Sequence, residues 1–275
     1  MSDEPQTFRA FEQSGWQDPQ LCAQYHAHLS DVTRQSVDAL LDAAGALFGS
    51  QVLDVATGAG YVAGAAAARG AHATGLDFSA EQIELARRYY PGMTFQVGEA
   101  DDLPFADASF DCVVSAFGMP HFPDPERALA EMYRTLKRNG RVAFTVWDIP
   151  DRAVGFGAVY AAIRAHGSLD VGLPAGPNFF LFSDPAECAR ALQKAGFVSP
   201  LVTTVPQLWS LQRADDAFDT IMHSTVRASA TLRAQTPAAL DAIRQRLRET
   251  IEKYRQGERY SVPMPAVLAS AIKPG

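Results

Sequence analysis

The stretch Val52-Leu53-Asp54-Val55-Ala56-Thr57-Gly58-Ala59-Gly60 constrains this chain more than any other. A short apolar run with an acid near its end leads into a turn of small residues, and a helix-forming segment follows. Such a turn lets a ligand approach the backbone, which larger side chains would hold off. A second apolar run ends in another acid, in Gly75-Leu76-Asp77-Phe78-Ser79. A carboxylate there can accept hydrogen bonds from the two hydroxyls of a ribose. The two blocks together read as a pocket for a nucleoside-bearing cofactor.

The surroundings alternate strand and helix signals. Strands are expected at 51–56, 72–77, 93–98, 110–117 and 141–147. Ser79 with Gln82 three residues on is a capping-box pattern, and Pro91 follows that helix. Asp124-Pro125-Glu126 opens another helix, and Lys137-Arg138-Asn139-Gly140 is expected to close it with cations and a glycine. Such βαβ alternation implies a parallel sheet with helices on both sides. Before it, Val37, Leu40, Leu41 and Leu47 mark a helical pattern within 1–48. After Trp147 the pattern loosens. One helix is expected from Asp184, one strand around 199–210, two helices within 214–257 and a last strand at about 259–272 that contains Pro263 and Pro265.

Composition excludes some functions. At 47% hydrophobic and 20% charged, the chain is ordinary for a globular protein. A formal charge of −7 argues against a nucleic-acid partner, which needs clustered Lys and Arg. Three separated cysteines, Cys22, Cys112 and Cys188, suit a reducing compartment. The start Met1-Ser2-Asp3-Glu4-Pro5 lacks a signal-peptide pattern, and no apolar run is long enough to span a membrane, so a cytoplasmic protein is expected. Histidines and cysteines lack ligand spacing, so no metal is expected.

Glycines alone do not choose the cofactor, because Gly58-x-Gly60-x-x-Ala63 also fits a loose dinucleotide pattern. Asp54, however, interrupts the strand, and Gly98-Glu99-Ala100-Asp101-Asp102-Leu103-Pro104-Phe105 and Ser109-Phe110-Asp111-Cys112-Val113-Val114 follow in order. Together the blocks resemble class I S-adenosylmethionine-dependent methyltransferases, the group that includes the ubiquinone/menaquinone-biosynthesis C-methyltransferases. The likeness covers about 50–148 and weakens on either side. It implies a Rossmann-like, doubly wound α/β fold with a mostly parallel seven-stranded sheet, the last strand antiparallel, and helical lid insertions. The expected division is an N-terminal helical cap at 1–48 and a methyltransferase domain at 49–275 with insertions at about 149–183 and 214–257.

The resemblance also implies site residues. Asp54 and the backbone of Ala56, Thr57, Gly58 and Gly60 would hold the methionine end of S-adenosylmethionine, with Tyr25 beside it. Asp77 would take the ribose hydroxyls, and Phe78 would lie beside the adenine. Glu99, Ala100 and Asp101 would surround the adenine edge, and Ser115 to Phe117 would flank the sulfonium. The family pattern has glycine where Ala56 stands, so angles open only to glycine are expected to be closed there. Asp111 is read as a structural residue at a strand start.

The implied reaction is methyl transfer to an oxygen, nitrogen or carbon of a small organic acceptor. His121, in Phe117-Gly118-Met119-Pro120-His121, follows the fourth strand and is the candidate catalytic residue. General base, pocket lining and simple packing all stay open for it. Phe179, Phe180, Phe182 and Trp209 suggest an apolar or aromatic acceptor, and ordinary core packing is their plain alternative. Arg244, Arg246, Arg248, Lys253 and Arg255 read as a solvated helix face. Rival readings are a methyltransferase-fold enzyme that cyclises or decarboxylates, a nicotinamide oxidoreductase and a non-catalytic scaffold.

Overall fold

The computed structural model describes residues 7–275. The acidic start of the expected cap segment, residues 1–6, lies outside the described residues. Helices α1 (Phe8–Trp16), α2 (Pro19–His28) and the single turn α3 (Ser30–Thr33) lead to α4 (Val37–Ala44). Next come β1 (Gln51–Val55), α5 (Tyr61–Ala68), β2 (His72–Asp77), α6 (Ala80–Tyr89), β3 (Thr94–Val97), β4 (Phe110–Ala116), α7 (Pro125–Thr135) and β5 (Leu136–Trp147). Then follow α8 (Val154–His166), α9 (Pro185–Lys194), β6 (Val198–Val205), β7 (Leu208–Leu211), α10 (Asp216–Ser224), α11 (Arg227–Arg233) and α12 (Pro237–Glu252). Strands β8 (Arg255–Gln256), β9 (Arg259–Pro263) and β10 (Ala266–Ile272) complete the chain. The residues divide into a sheet unit (33–147, 177–205 and 266–275) and a helical unit (up to 32, 148–176 and 206–265).

The sheet unit holds seven strands in the order β3-β2-β1-β4-β5-β10-β6. Strands β1 to β5 pair in parallel, and β10 runs antiparallel to β5 and β6. This is the expected mostly parallel, doubly wound sheet. Its strands are apolar on both faces because helices cover both. Leu53, Val113, Phe144 and Val267 pack under Leu129 and Met132 of α7 and Leu192 of α9. Their neighbours Val52, Val114, Ala143 and Leu268 pack under Leu40 and Leu41 of α4 and Val62 of α5. Strand order reverses between β1 and β4, so a crevice opens beyond their carboxyl ends.

Several boundaries differ from the sequence expectation. Helix α7 ends at Thr135, not at Lys137-Arg138. The chain enters the sheet at once, because Leu136 pairs with Phe110 and Lys137 Nζ bonds both Asp111 oxygens at 2.9 and 3.0 Å. Asp111 also accepts the Gln51 N–H at 2.8 Å, the structural role expected of it. A more distant cation serves the helix end: Lys273 Nζ donates to the carbonyls of Tyr133 at 2.8 Å and Leu136 at 2.7 Å. Leu47 falls beyond α4 and is 71% exposed.

The single strands expected at 199–210 and 259–272 are each two strands. β6 and β10 belong to the seven-stranded sheet, and β7 and β9 belong to a three-stranded sheet, β7-β9-β8, in the helical unit. Both breaks carry a proline, Pro206 and Pro265, which cannot donate to a ladder. Three helices fill 214–257, not two, because Thr225 leaves the helix at φ −131° and ψ 150°. In that unit Ile243, Leu247 and Ile251 of α12 are buried, while Arg244 and Arg248 pair with Asp219 and Asp215. No helix among the described residues is long and apolar enough to cross a membrane.

Candidate functional site

The carboxyl end of β1 carries the first acid. Asp54 is fully buried. Its Oδ2 accepts from Thr57 Oγ1 at 2.6 Å and from the Ala63 N–H, in the first turn of α5, at 3.1 Å. Its Oδ1 has no hydrogen-bond partner. A buried acceptor without a donor is costly, which is the condition expected of a group built to meet a ligand.

The second acid is tied to the turn. Asp77 Oδ2 accepts from the Gly58 N–H and Oδ1 from the Ser79 N–H, both at 2.9 Å. Thr57 N–H donates to the Leu76 carbonyl at 2.9 Å, so turn and strand end are joined twice. Ser79 then caps α6 by accepting the Gln82 N–H at 3.2 Å. At Gly60 the backbone has φ +83°, and a Cβ would stand 2.9 Å from the Phe95 ring, so both angle and space call for glycine.

Burial pushes Asp54 up to about 7, against its bonds from Thr57 and Ala63, with the Asp77 charge adding to the rise. Burial likewise pushes Asp77 up to about 6, opposed by the Ser79 and Gly58 N–H groups and by the charge of His121, while Glu99 adds to the rise. Asp54, Asp77, Glu99 and His121 therefore share one electrostatic neighbourhood.

The remaining candidates lie on three loops. Phe78 directly follows Asp77 and is half-buried. Glu99 and Asp102 form an antiparallel bridge that folds the loop after β3, with Asp101 buried and Asp102 exposed. Ala100 packs against the core. At the end of β4, Ser115 is buried and its Oγ has no partner. Phe117 sits at φ +57°, its ring 4.3 Å from that of Trp147. His121 ends a tight turn, Met119–His121, where its N–H donates to the Gly118 carbonyl at 2.9 Å, and its ring meets Phe179 edge-on at 6.1 Å.

Ala56 adopts φ +59°, in the left-handed region that favours glycine but that an L-residue can enter, so the turn tolerates alanine here. Alanine pays roughly 1 kcal/mol for that conformation. The ends of β1 and β4 meet here: a Cβ on Gly118 would lie 2.7 Å from Ala56 Cβ and 2.6 Å from Ser115 Oγ. Non-glycine residues in this region concentrate at functional sites.

Tyr25 belongs to the helical unit, on α2, where its ring packs edge-on to Trp16 at 5.3 Å and His26 at 5.5 Å. Phe182 is a core residue against Phe144. Trp209 is buried in the helical unit and donates its indole N–H to the His28 carbonyl at 3.2 Å. Sequence reading passed over Thr145, whose buried Oγ1 near the end of β5 lacks a partner. A threonine in a strand carries no signal that would single it out.

Residues 53–144 match the family model of the methyltransferase domain. That match bears out the resemblance to class I S-adenosylmethionine-dependent methyltransferases over the stretch that carries β1 to β5. A demethylmenaquinone methyltransferase of Renibacterium salmoninarum is 39% identical over 118 residues, 43% of this chain and 50% of that protein. The ubiquinone/menaquinone biosynthesis C-methyltransferase UbiE of Geotalea daltonii is 42% identical over 36% of this chain and 46% of its own. The chain thus spans about half the length of these curated relatives. Among solved structures, a Haloferax volcanii protein determined with the Trm112 methyltransferase activator has TM-score 0.60 and 22% identity, over 92% of this chain and 94% of that one. Phosphoethanolamine N-methyltransferase 2 of Haemonchus contortus, in complex with S-adenosyl-L-methionine, has TM-score 0.59 and 18% identity, over 100% of this chain and 62% of that one. At such identities the likeness establishes the fold.

Proposed function

We propose that this chain binds S-adenosylmethionine and transfers its methyl group to an oxygen, nitrogen or carbon atom of a small organic acceptor. The observation that carries this reading is the pair of buried carboxylates about the Gly58-Ala59-Gly60 turn, with Asp54 Oδ1 left unbonded. The donor set fits the cofactor: an acid for an ammonium, a second acid with both oxygens oriented for two hydroxyls, and a turn too small to obstruct them. When bound, the cofactor supplies a methyl group on a cationic sulfur, set for in-line displacement.

The chain's own residues then bind and orient. Asp54 Oδ1 takes the ammonium of the methionine end. Asp77, held by Gly58 and Ser79, takes the ribose hydroxyls. Phe78 and Ala100 line the adenine, and Glu99 or Asp101 accepts from its amino edge. Ser115 and Phe117 border the sulfur, and His121 removes the acceptor proton where the acceptor is an oxygen or carbon acid.

The curated relatives carry names that refer to demethylmenaquinone or to ubiquinone/menaquinone biosynthesis. The family match spans 53–144, where the proposed cofactor residues other than Tyr25 lie, so a quinone-like acceptor is one member of the class proposed here, with apolar or aromatic character. Selection of the acceptor is assigned to segments outside 53–144. Calorimetric titration with S-adenosylhomocysteine and with NADH tests the cofactor, and release of S-adenosylhomocysteine with a panel of small aromatic acceptors tests the reaction. Binding of NADH alone would sink the reading.

A further inference from the structure

We propose that Arg134, with Glu131 and Arg127 on the same helix, sets the position of the loop that reads the adenine edge; this rests on the cofactor reading above. The loop after β3 has no regular structure beyond the Glu99–Asp102 bridge. What holds it is α7. Arg134 spends its whole guanidinium fork on this task. Nε donates to Glu131 Oε1 at 2.9 Å, and one terminal nitrogen donates to the Phe105 carbonyl at 2.7 Å and Asp107 Oδ1 at 2.8 Å. The other donates to the Leu103 carbonyl at 2.9 Å and Glu131 Oε2 at 2.7 Å. Glu131 Oε2 in turn accepts the Leu103 N–H at 2.9 Å, so Leu103 is fixed through both its backbone groups. One turn earlier on the helix, Arg127 Nε donates to the Asp101 carbonyl at 2.8 Å.

The clamp touches the loop mainly through its backbone. It fixes where residues 101–105 run. A planar five-donor fork can make this set of contacts, and an ammonium cannot. The same helix is capped by Asp124, which accepts the Arg127 N–H at 2.9 Å and is separated from the turn that carries His121 by Phe122 and Pro123 alone. One rigid element therefore ties the adenine loop to the candidate base. That makes Arg134 a positioning residue and not merely a stabilising one.

The test uses the whole chain and two ligands, S-adenosylhomocysteine and S-inosylhomocysteine, titrated calorimetrically. The second ligand replaces the adenine amino group with a carbonyl, so the ratio of the two dissociation constants reports how well the loop reads that edge. In Arg134→Lys the dissociation constant for S-adenosylhomocysteine should rise about tenfold, as expected for losing charge-assisted hydrogen bonds, while that for the inosyl ligand changes little. The ratio should therefore fall towards unity. Equal weakening of both ligands, or none, would overturn the proposal. Should Arg134→Lys fail to fold, Arg127→Gln removes a single bond to Asp101, and an unchanged ratio there overturns it too. Failure of the unaltered chain to bind S-adenosylhomocysteine would instead sink the cofactor reading itself.

Discussion

Gly58 N–H donates to Asp77 Oδ2 at 2.9 Å, joining the turn after β1 to the end of β2. The carboxylate is thus oriented by the backbone before any ligand arrives. Ser79 N–H holds its other oxygen at the same distance. Each oxygen keeps lone-pair capacity for one further donor, which is what a pair of vicinal hydroxyls requires.

Asp77→Ala should therefore weaken S-adenosylhomocysteine by about 1–3 kcal/mol, the cost of leaving the ribose hydroxyls without acceptors. Calorimetry gives the affinity and circular dichroism checks the fold. Unchanged affinity in a folded variant would remove the ribose assignment.

The pH dependence has a definite sign. Burial raises Asp54 to about 7 and Asp77 to about 6, both above the unfolded aspartate value. The folded free protein therefore holds these protons more tightly than the unfolded chain does. The stability they contribute is present below about pH 4 and is lost as pH rises through 6 to 7. A ligand that brings an ammonium and two hydroxyls favours the ionised pair, so its affinity should rise over that same window. Titrations of S-adenosylhomocysteine at about pH 5 and about pH 8 should show tighter binding at the higher pH, and Asp54→Asn should flatten the difference. Equal affinity at both would mean the pair is already ionised, or does not meet the ligand.

The elements that position the site were readable because local signals and tertiary packing agree there. Val52 and Leu53 are apolar to both faces, Ser79 caps α6, and small residues follow Asp54. Element ends were less readable where distant partners decide them. Nothing near Thr135 announces that Lys273 will take the last carbonyls of α7. Likewise, Pro206 and Pro265 mark breaks in pairing, but the transfer of β7 and β9 to a separate sheet depends on residues far apart in sequence. For Phe182 and Trp209 an acceptor wall and plain core packing both stayed open, because burial in a core and burial under a ligand ask for the same side chain.

The contact between Ala56 and Gly118 gives a double-substitution test. A methyl group on Gly118 would stand 2.7 Å from Ala56 Cβ and 2.6 Å from Ser115 Oγ. Gly118→Ala should destabilise the protein by about 1–3 kcal/mol, the usual penalty for overpacking. Ala56→Gly removes one of the two obstructing atoms and also relieves the φ of +59°. Chemical denaturation of both single variants and the double variant should show a favourable coupling of at least about 0.5 kcal/mol. Strict additivity would mean the two strand ends do not press on each other.

His121 should reveal itself through Asp77 as well as through turnover. Its charge opposes the rise in the Asp77 pKa. Removing the ring in His121→Ala should let Asp77 climb further, so the rise of cofactor affinity with pH should move to higher pH. At alkaline pH, where Asp77 is ionised in either protein, the affinity should match that of the unaltered chain. Turnover with an oxygen or carbon acid acceptor should fall by about 100-fold or more, as expected for the loss of a general base. An amine acceptor, already carrying a free electron pair, should lose far less. A shifted binding profile with turnover intact would leave His121 as a charge beside the ribose site and return the proton to solvent. An unshifted profile with turnover lost would make it a base that Asp77 does not sense.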